Sequence, residues 1–297
     1  MDGGSSLNEN VRHTPVLMAE SLAGLNVRPG GIYLDLTVGL GGHAAAIAEA
    51  VGPTGRVEGL DQDPAALALA SERLKPWADR VRLTAGNFER FDENLGLQPA
   101  SVDGILADLG VSSLQLDEAA RGFGFSREGP LDMRMGATGE TALEYLRRVS
   151  PEELEAALRD AGEERFARKL AARLKEHAPE WATTKDLADA VCRWIPRRGR
   201  SHPATRVFLG LRMAVNREMP RLRSMLERAP AVLRPGGRLA VITFHSTEDR
   251  VVKRYGKEEW REGPLRAVNK KVLIASREEQ RVNPRSRSAK LRVFEKI

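Results

Sequence analysis

Two carboxylates flanking a glycine-rich turn are spaced for holding a nucleoside. Asp35 lies in a short apolar run, residues 32–37, that passes directly into Gly39, Gly41 and Gly42. His43 and an alanine-rich stretch follow, and they begin a helix over 42–51. A strand that breaks into such a turn lets backbone approach a ligand where side chains would collide. It also points the positive end of the helix at that ligand. A second apolar run, 56–60, ends in Asp61, nineteen residues after Gly42. An acid at that place accepts hydrogen bonds from the two hydroxyls of a ribose.

The glycine spacing, Gly39-x-Gly41-x-x-Ala44, fits the dinucleotide fingerprint too, so a nicotinamide cofactor stays open on this pattern alone. Asp35 favours S-adenosylmethionine. That cofactor brings a sulfonium and an ammonium group, which a neighbouring carboxylate stabilises, whereas a pyrophosphate would be repelled.

The flanking elements have to deliver these groups to one place. Strands are expected over 32–37, 56–60, 80–84 and 102–108, with helices over 18–25, 42–51 and 64–75. Pro64 suits the first turn of the last of these helices. Alternating strands and helices predict an α/β fold, a doubly wound, Rossmann-like parallel sheet. Ligands of such sheets bind beyond the carboxyl ends of the strands. Asp35, Asp61, Asn87 or Phe88, and Asp108 all fall at those ends and should share one rim.

After Ser113 the pattern changes to glycine-punctuated loop and then to helices alone. Ser150-Pro-Glu-Glu153 is a helix start, with Ser at the cap and Glu at N3. A helix is expected over 204–233, broken at Pro220 and Pro230. A buried strand over 238–244 resumes the sheet, and runs at 270–274 and 289–294 form a closing antiparallel pair. The expected organisation is a discontinuous catalytic domain, 1–111 and 213–297. An all-helical domain, 112–212, is inserted in it for substrate recognition.

Composition narrows the class. The chain has 297 residues, 47 Lys/Arg and 41 Asp/Glu, a net charge of +6, and a single cysteine, Cys192. No apolar run is long enough to span a membrane. The first twelve residues are polar, read as a loose arm, and carry no secretory signal. One cysteine excludes internal disulfides and a cysteine-rich zinc site, and no metal is expected; a cytoplasmic location fits. Residues 250–297 hold fifteen Lys/Arg against six Asp/Glu. A second basic cluster around Arg197, Arg198 and Arg206 lies near Trp194 and His202. Such concentrations are either solvated surface or a footprint for a polyanion such as nucleic acid.

Six motifs, from residue 35 to residue 288, together resemble one family. They are Asp35-Leu-Thr-x-Gly-x-Gly-Gly-His43, Asp108-Leu-Gly-Val-Ser-Ser113, Leu131-Asp-Met-Arg-Met135, His202-Pro-Ala-Thr-Arg206, Phe244-His-Ser-x-Glu-Asp-Arg250 and Asn283-Pro-Arg-Ser-Arg-Ser288. The chain is similar to the MraW family of bacterial small-subunit ribosomal RNA methyltransferases. The resemblance implies methyl transfer from S-adenosylmethionine to N4 of a cytosine in the decoding region of 16S rRNA. It also implies cofactor contacts at Gly41, Gly42, His43, Asp61, Phe88, Asp108 and Gln115. The chain departs from the family's pattern at Leu114, at Thr247 and at Val207-Phe-Leu-Gly210.

Given that reaction, an acceptor for the amine hydrogens is needed. Asp108 is the first candidate, with capping of its own loop as the alternative. Asp132 is the second, with a loop ion pair to Arg134 as the alternative. His245 is the third, as proton acceptor, RNA contact or simple cap. Phe123, Phe125 and Trp194 are candidates for stacking on the base or for core packing. RNA contacts are expected from Arg134, Arg198, His202, Arg206, Arg250, Arg285 and Arg287. The partner is 16S rRNA or the small subunit; a homodimer is compatible with the sequence. Removing 275–297 is expected to weaken RNA binding more than cofactor binding; a cofactor affinity that fell first would mark the tail as structural, the alternative that its strand-like end offers. A non-enzymatic RNA-binding protein is the remaining alternative, against which intact Asp35, Asp61 and Asp108 speak.

Overall fold

The computed structural model describes residues 15–197 and 201–297. The loose arm expected at the start and Arg198 lie outside them.

Eight strands form one sheet in the order β3-β2-β1-β4-β5-β8-β6, with β7 also paired to β8. These are β1 (Ile32–Asp35), β2 (Arg56–Asp61), β3 (Val81–Ala85), β4 (Val102–Asp108), β5 (Leu233–Thr243), β6 (Leu265–Ala267), β7 (Leu273–Ile274) and β8 (Lys290–Lys296). The first five run parallel. β8 runs antiparallel to β5, β6 and β7. The order reverses between β1 and β4, which opens a crevice at their carboxyl ends. Tyr33 to Asp35 of β1 and Gly104 to Ala107 of β4 are buried, as expected of parallel strands covered on both faces.

One face of the sheet packs on the helices Met18–Leu25, Gly42–Ala50 and Pro64–Leu74, through Leu25, Ile47, Ala70 and Leu74. The other face packs on the helices Glu218–Val232 and Ser246–Glu262, through Leu222, Met225, Leu226 and Val252.

Between Ser113 and Val232, among the described residues, the chain forms helices and loops. Buried side chains from Phe123 to Leu211 make a core of their own, with Leu146, Leu154, Leu170 and Val191 fully enclosed. The capping boxes at Thr141, Ser150 and Thr183 explain where three of its helices begin. Helix Ala204–Val215 lies against helix Pro151–Asp160. A side chain at Gly210 would come within 3.0 Å of the Ala157 carbonyl, so this departure from the family's pattern permits close packing. Thr247, another departure, donates its hydroxyl to the Asp160 carbonyl and ties the helix after β5 to the same helix.

Two expectations need correction. The break in the long helical stretch falls at Asn216–Arg217, where Arg217 is left-handed at φ 49°, and not at either proline. Pro220 sits in the first turn of the next helix, where its missing N–H costs no bond, and Pro230 lies near that helix's end. The second concerns the tail: β8 lies between β5 and β6, so removing 275–297 takes out an interior strand, the structural alternative that its strand-like end offered.

Candidate active site

The crevice between β1 and β4 widens into a cleft of about 410 Å³. That volume lies in the range of small-molecule sites. Val38, Gly39, Gly42 and His43 from the glycine turn line it, with Asp61 from β2 and Phe88 beyond β3. Asp108 from β4, Gln115 from the helix Ser113–Asp117, and Arg285 from the tail complete the expected residues along its walls.

The turn is built around Asp61. Its Oδ2 accepts the Gly39 N–H at 2.8 Å and its Oδ1 the Asp63 N–H at 2.9 Å. One carboxylate thus pins the turn and the start of the next helix while lining the cleft. Burial raises its pKa, and the hydrogen bonds from these N–H groups work against that. Gly41 does not line the cleft. It caps helix Gly42–Ala50 at φ 77°, where a side chain would press on Leu74 at 3.2 Å. Gly42 is needed for closeness: a Cβ there would stand 2.3 Å from the Pro15 ring.

Asp35, expected as a contact, lies behind the cleft wall at 1% exposure. Its Oδ1 accepts the Thr37 N–H at 3.2 Å. The Thr37 hydroxyl in turn accepts the Asp108 N–H at 2.6 Å, which joins the ends of β1 and β4. His43 Nε2 stands 3.6 Å from Asp108 Oδ2, an electrostatic contact longer than a hydrogen bond. Burial lowers the His43 pKa, but the Asp108 and Asp35 carboxylates outweigh it and the net shift is upward. Asp35 Oδ2 and Asp108 Oδ1 are buried acceptors without a hydrogen-bond partner, and both ring nitrogens of His43 are unpartnered too, Nε2 facing the Asp108 carboxylate as a donor does. An orphaned buried acceptor requires a partner; at Asp108, which lines the cleft, a ligand that brings N–H donors and positive charge supplies it, and Asp35 acts on the same ligand through its charge from behind the wall. S-adenosylmethionine fits this set. A dinucleotide would bring its pyrophosphate against Asp35 and Asp108.

Burial raises the Asp35 carboxyl from 3.8 to about 6, with His43 and the Thr37 N–H lowering it in part. The folded protein therefore holds this proton more tightly than the unfolded chain does. Its contribution to stability falls as pH climbs from about 4 to 6 and is absent above. The interval corresponds to roughly 3 kcal/mol. Asp35→Asn also deprives His43 of a partner, so that figure is a ceiling on the gain. The variant is expected to unfold at higher urea than the wild type at pH 7.5 and at nearly equal urea at pH 4. A wild type as stable as the variant at pH 7.5 would refute this account.

Gln115 lines the cleft with its polar atoms already engaged. Its Nε2 donates to Asp63 Oδ2 at 2.9 Å and to the Met135 carbonyl at 3.2 Å, and its Oε1 accepts the Ser112 N–H. Asp63, 2% exposed, also pairs with Arg121 at 2.8 Å. This buried node, which the sequence reading missed, fastens the first loop of the helical stretch to the start of the helix Pro64–Leu74. Only the alternation of Asp61 and Asp63 before Pro64 hinted at it.

The structure brings other expected residues elsewhere. Asp132 does not line the cleft. Arg134 grips it at 2.9 and 2.7 Å, and the contact holds its carboxyl below the usual range despite burial. The loop ion pair, not a place at the cleft, is what the structure contains. His245 is the N-cap of the helix Ser246–Glu262, and its Nε2 lies 3.1 Å from Glu248 Oε1. His202 packs on Phe125 at 4.6 Å and caps Ala204. Arg206 pairs with Glu163 at 3.3 Å. Arg250 and Arg287 are exposed. Arg285 hydrogen-bonds Ser113 and pairs with Asp117 at 3.0 Å, latching the tail across the cleft's edge. Phe123, Phe125 and Trp194 belong to the helical core, Trp194 against His177 and Trp181.

Arg212, Glu218 and Glu248 also line the cleft, and the sequence reading had singled out none of them. The Phe244–Arg250 motif contains Glu248, but nothing local connects it to Arg212 and Glu218. Among the described residues no helix is long and apolar enough to cross a membrane.

The model of the MraW methylase family matches residues 10–297. A ribosomal RNA small subunit methyltransferase H of Gloeobacter violaceus is 48% identical over 97% of this chain and 89% of its own. That of a Cyanothece species is 48% identical over 99% and 97%. A solved SAM-dependent methyltransferase from Aquifex aeolicus aligns over 98% of this chain and 95% of its own, at 11% identity and a TM-score of 0.45. With its glycine turn, strand-end acids and near-complete match to the family model, this chain belongs to the MraW methylase family.

Proposed function

We propose that the protein transfers a methyl group from S-adenosylmethionine to the exocyclic N4 of a cytosine in the decoding region of bacterial 16S ribosomal RNA. The observation that carries this is the meeting of Asp61 and Asp108, from two parallel strands, on one cleft beside a glycine turn, with Asp35 from a third strand buried behind its wall. The relatives named as small-subunit ribosomal RNA methyltransferases support the acceptor. Asp61 would hold the ribose hydroxyls, Phe88 the adenine, and Asp108 with His43 the amino-acid end, while Asp35 supplies negative charge behind them. When bound, the cofactor provides an electrophilic methyl group on a sulfonium.

The cytosine amine is a poor nucleophile because its lone pair is delocalised into the ring. The protein's task is to orient the amine and accept its hydrogens. Asp108 stands where the β4 rim meets the cleft and is assigned that acceptor role. We assign residues 112–212 to a substrate-recognition domain, set in a catalytic domain of 1–111 and 213–297. Helix Ala204–Val215 runs through the later boundary and connects the two. Arg206, Arg250, Arg285 and Arg287 are assigned to RNA phosphates, with Arg134, Arg198 and His202 as further contacts. This reading places the enzyme in the cytoplasm, and a homodimer is its proposed assembly, to be weighed by sedimentation.

Small subunits from cells lacking the gene, incubated with the protein and methyl-labelled cofactor, are expected to gain label at one cytosine. Label elsewhere, or none, would reject the assignment. Mass spectrometry that found a nicotinamide nucleotide in the purified protein would favour an oxidoreductase instead.

A further inference from the structure

Besides Arg285 at its edge, the cleft is lined by three charged residues outside the proposed nucleoside set, Arg212, Glu218 and Glu248. Glu248 is 1% exposed. Its Oε2 accepts the N–H groups of Phe244 and His245 at 2.8 and 3.2 Å, and its Oε1 faces His245 Nε2 at 3.1 Å. Glu218, 8% exposed, is gripped by Arg212, whose Nε and Nη2 donate at 2.7 and 2.8 Å. That grip leaves the Arg212 Nη1 hydrogens for another acceptor. A helix cap alone would need neither the second carboxylate nor the guanidinium.

The set stands beside the proposed reacting centre. β4 and β5 are neighbours, Asp108 pairs in register with Ile242, and the Leu109 N–H donates to the Ile242 carbonyl at 3.0 Å. Glu248 follows one turn beyond the end of β5, on the same lip as Asp108. Glu218, His245 and Glu248 carry ligand atoms within 4.8 Å of one another, the spacing of a metal site. A cation there would have to displace a guanidinium already bound to Glu218, and Arg212 would repel it.

A carboxylate beside a guanidinium matches a different ligand. The Watson–Crick edge of cytosine presents an amino donor followed by two acceptors, N3 and O2, and an unstacked base is read on that edge. We propose that Glu248 and Arg212 read this edge of the target base. Glu248 accepts one N4 hydrogen and Arg212 donates to N3 or O2, while His245 and Glu218 position them. The inference rests on the cytosine-N4 reading above. It makes Glu248 and Arg212 specificity residues, since uracil would set O4 against Glu248 and N3–H against Arg212.

Binding of small subunits carrying cytosine or uracil at the target position, in the presence of S-adenosylhomocysteine, tests it. Wild-type protein is expected to prefer cytosine by about tenfold to a hundredfold, the range for a good base contact. E248Q keeps an oxygen for the Phe244 and His245 N–H groups, as Gln does in capping boxes, so it is expected to fold. Its amide nitrogen then takes the place of Oε1 beside His245 Nε2 and can no longer accept from the base, and the preference should fall to within about threefold while S-adenosylhomocysteine binds as before. Unchanged discrimination in E248Q, or equal losses for both bases, would overturn the proposal. Failure of the wild type to methylate any subunit would count against the proposed function, which the binding measurement does not require.

Discussion

Asp61→Ala is expected to weaken binding of S-adenosylhomocysteine by roughly 10²- to 10⁴-fold. Two hydroxyl donors lose a charged acceptor, and hydrogen bonds to charged groups contribute about 1.5–3 kcal/mol each. The Gly39 and Asp63 N–H groups lose the same carboxylate, so the glycine turn loosens as well. Asp61→Asn separates the two effects. It retains one oxygen acceptor, while its amide group must point a donor at one of the two N–H groups or at the ligand. Its affinity is expected to fall between wild type and Asp61→Ala. Isothermal titration gives both values, and an Asp61→Ala dissociation constant within threefold of wild type would remove Asp61 from the ribose.

That expectation was available from the sequence because its determinants are local. A buried parallel strand reads as an apolar run, and its acid falls at the end of the run. Asp61 and Asp108 could therefore be placed on one rim without knowing any long-range contact. Capping chemistry was equally local, as Ser150 and Glu153 show. What escaped was chemistry made by distant residues. Asp63 meets Gln115 and Arg121 far along the chain, and the Arg212–Glu218 pair meets Glu248 only because β5 returns beside β4. Asp132 and Arg134 lie two apart in a motif that suggested catalysis, yet their own ion pair satisfies both. Asp35 stood at the right strand end, but its depth behind the wall depends on packing around it that no local pattern records. The helix break was sought at Pro220 and Pro230, whereas Asn216 made it by donating its side chain to the Met133 and Arg212 carbonyls.

Asp108→Asn should separate binding from chemistry. The substitution keeps the side chain's size at a position 23% exposed on the cleft, beside His43. The Asp108 N–H still reaches the Thr37 hydroxyl, so the joint between β1 and β4 survives and the protein is expected to fold. What is lost is a charged acceptor for the amine hydrogens, and a positioned acceptor of this kind contributes about 10²- to 10⁴-fold to rate. Single-turnover methylation should fall by that amount. Binding of S-adenosylhomocysteine should weaken far less than it does in Asp61→Ala, because Asp108 would share the amino-acid end with His43. Orphaned Oδ1 is the structural reason to expect more than a cap here: a loop cap would have its oxygen engaged, and this one is buried and unpartnered. Near-normal turnover in a folded Asp108→Asn would leave Glu248, across the β4–β5 junction, as the acid that accepts from the amine.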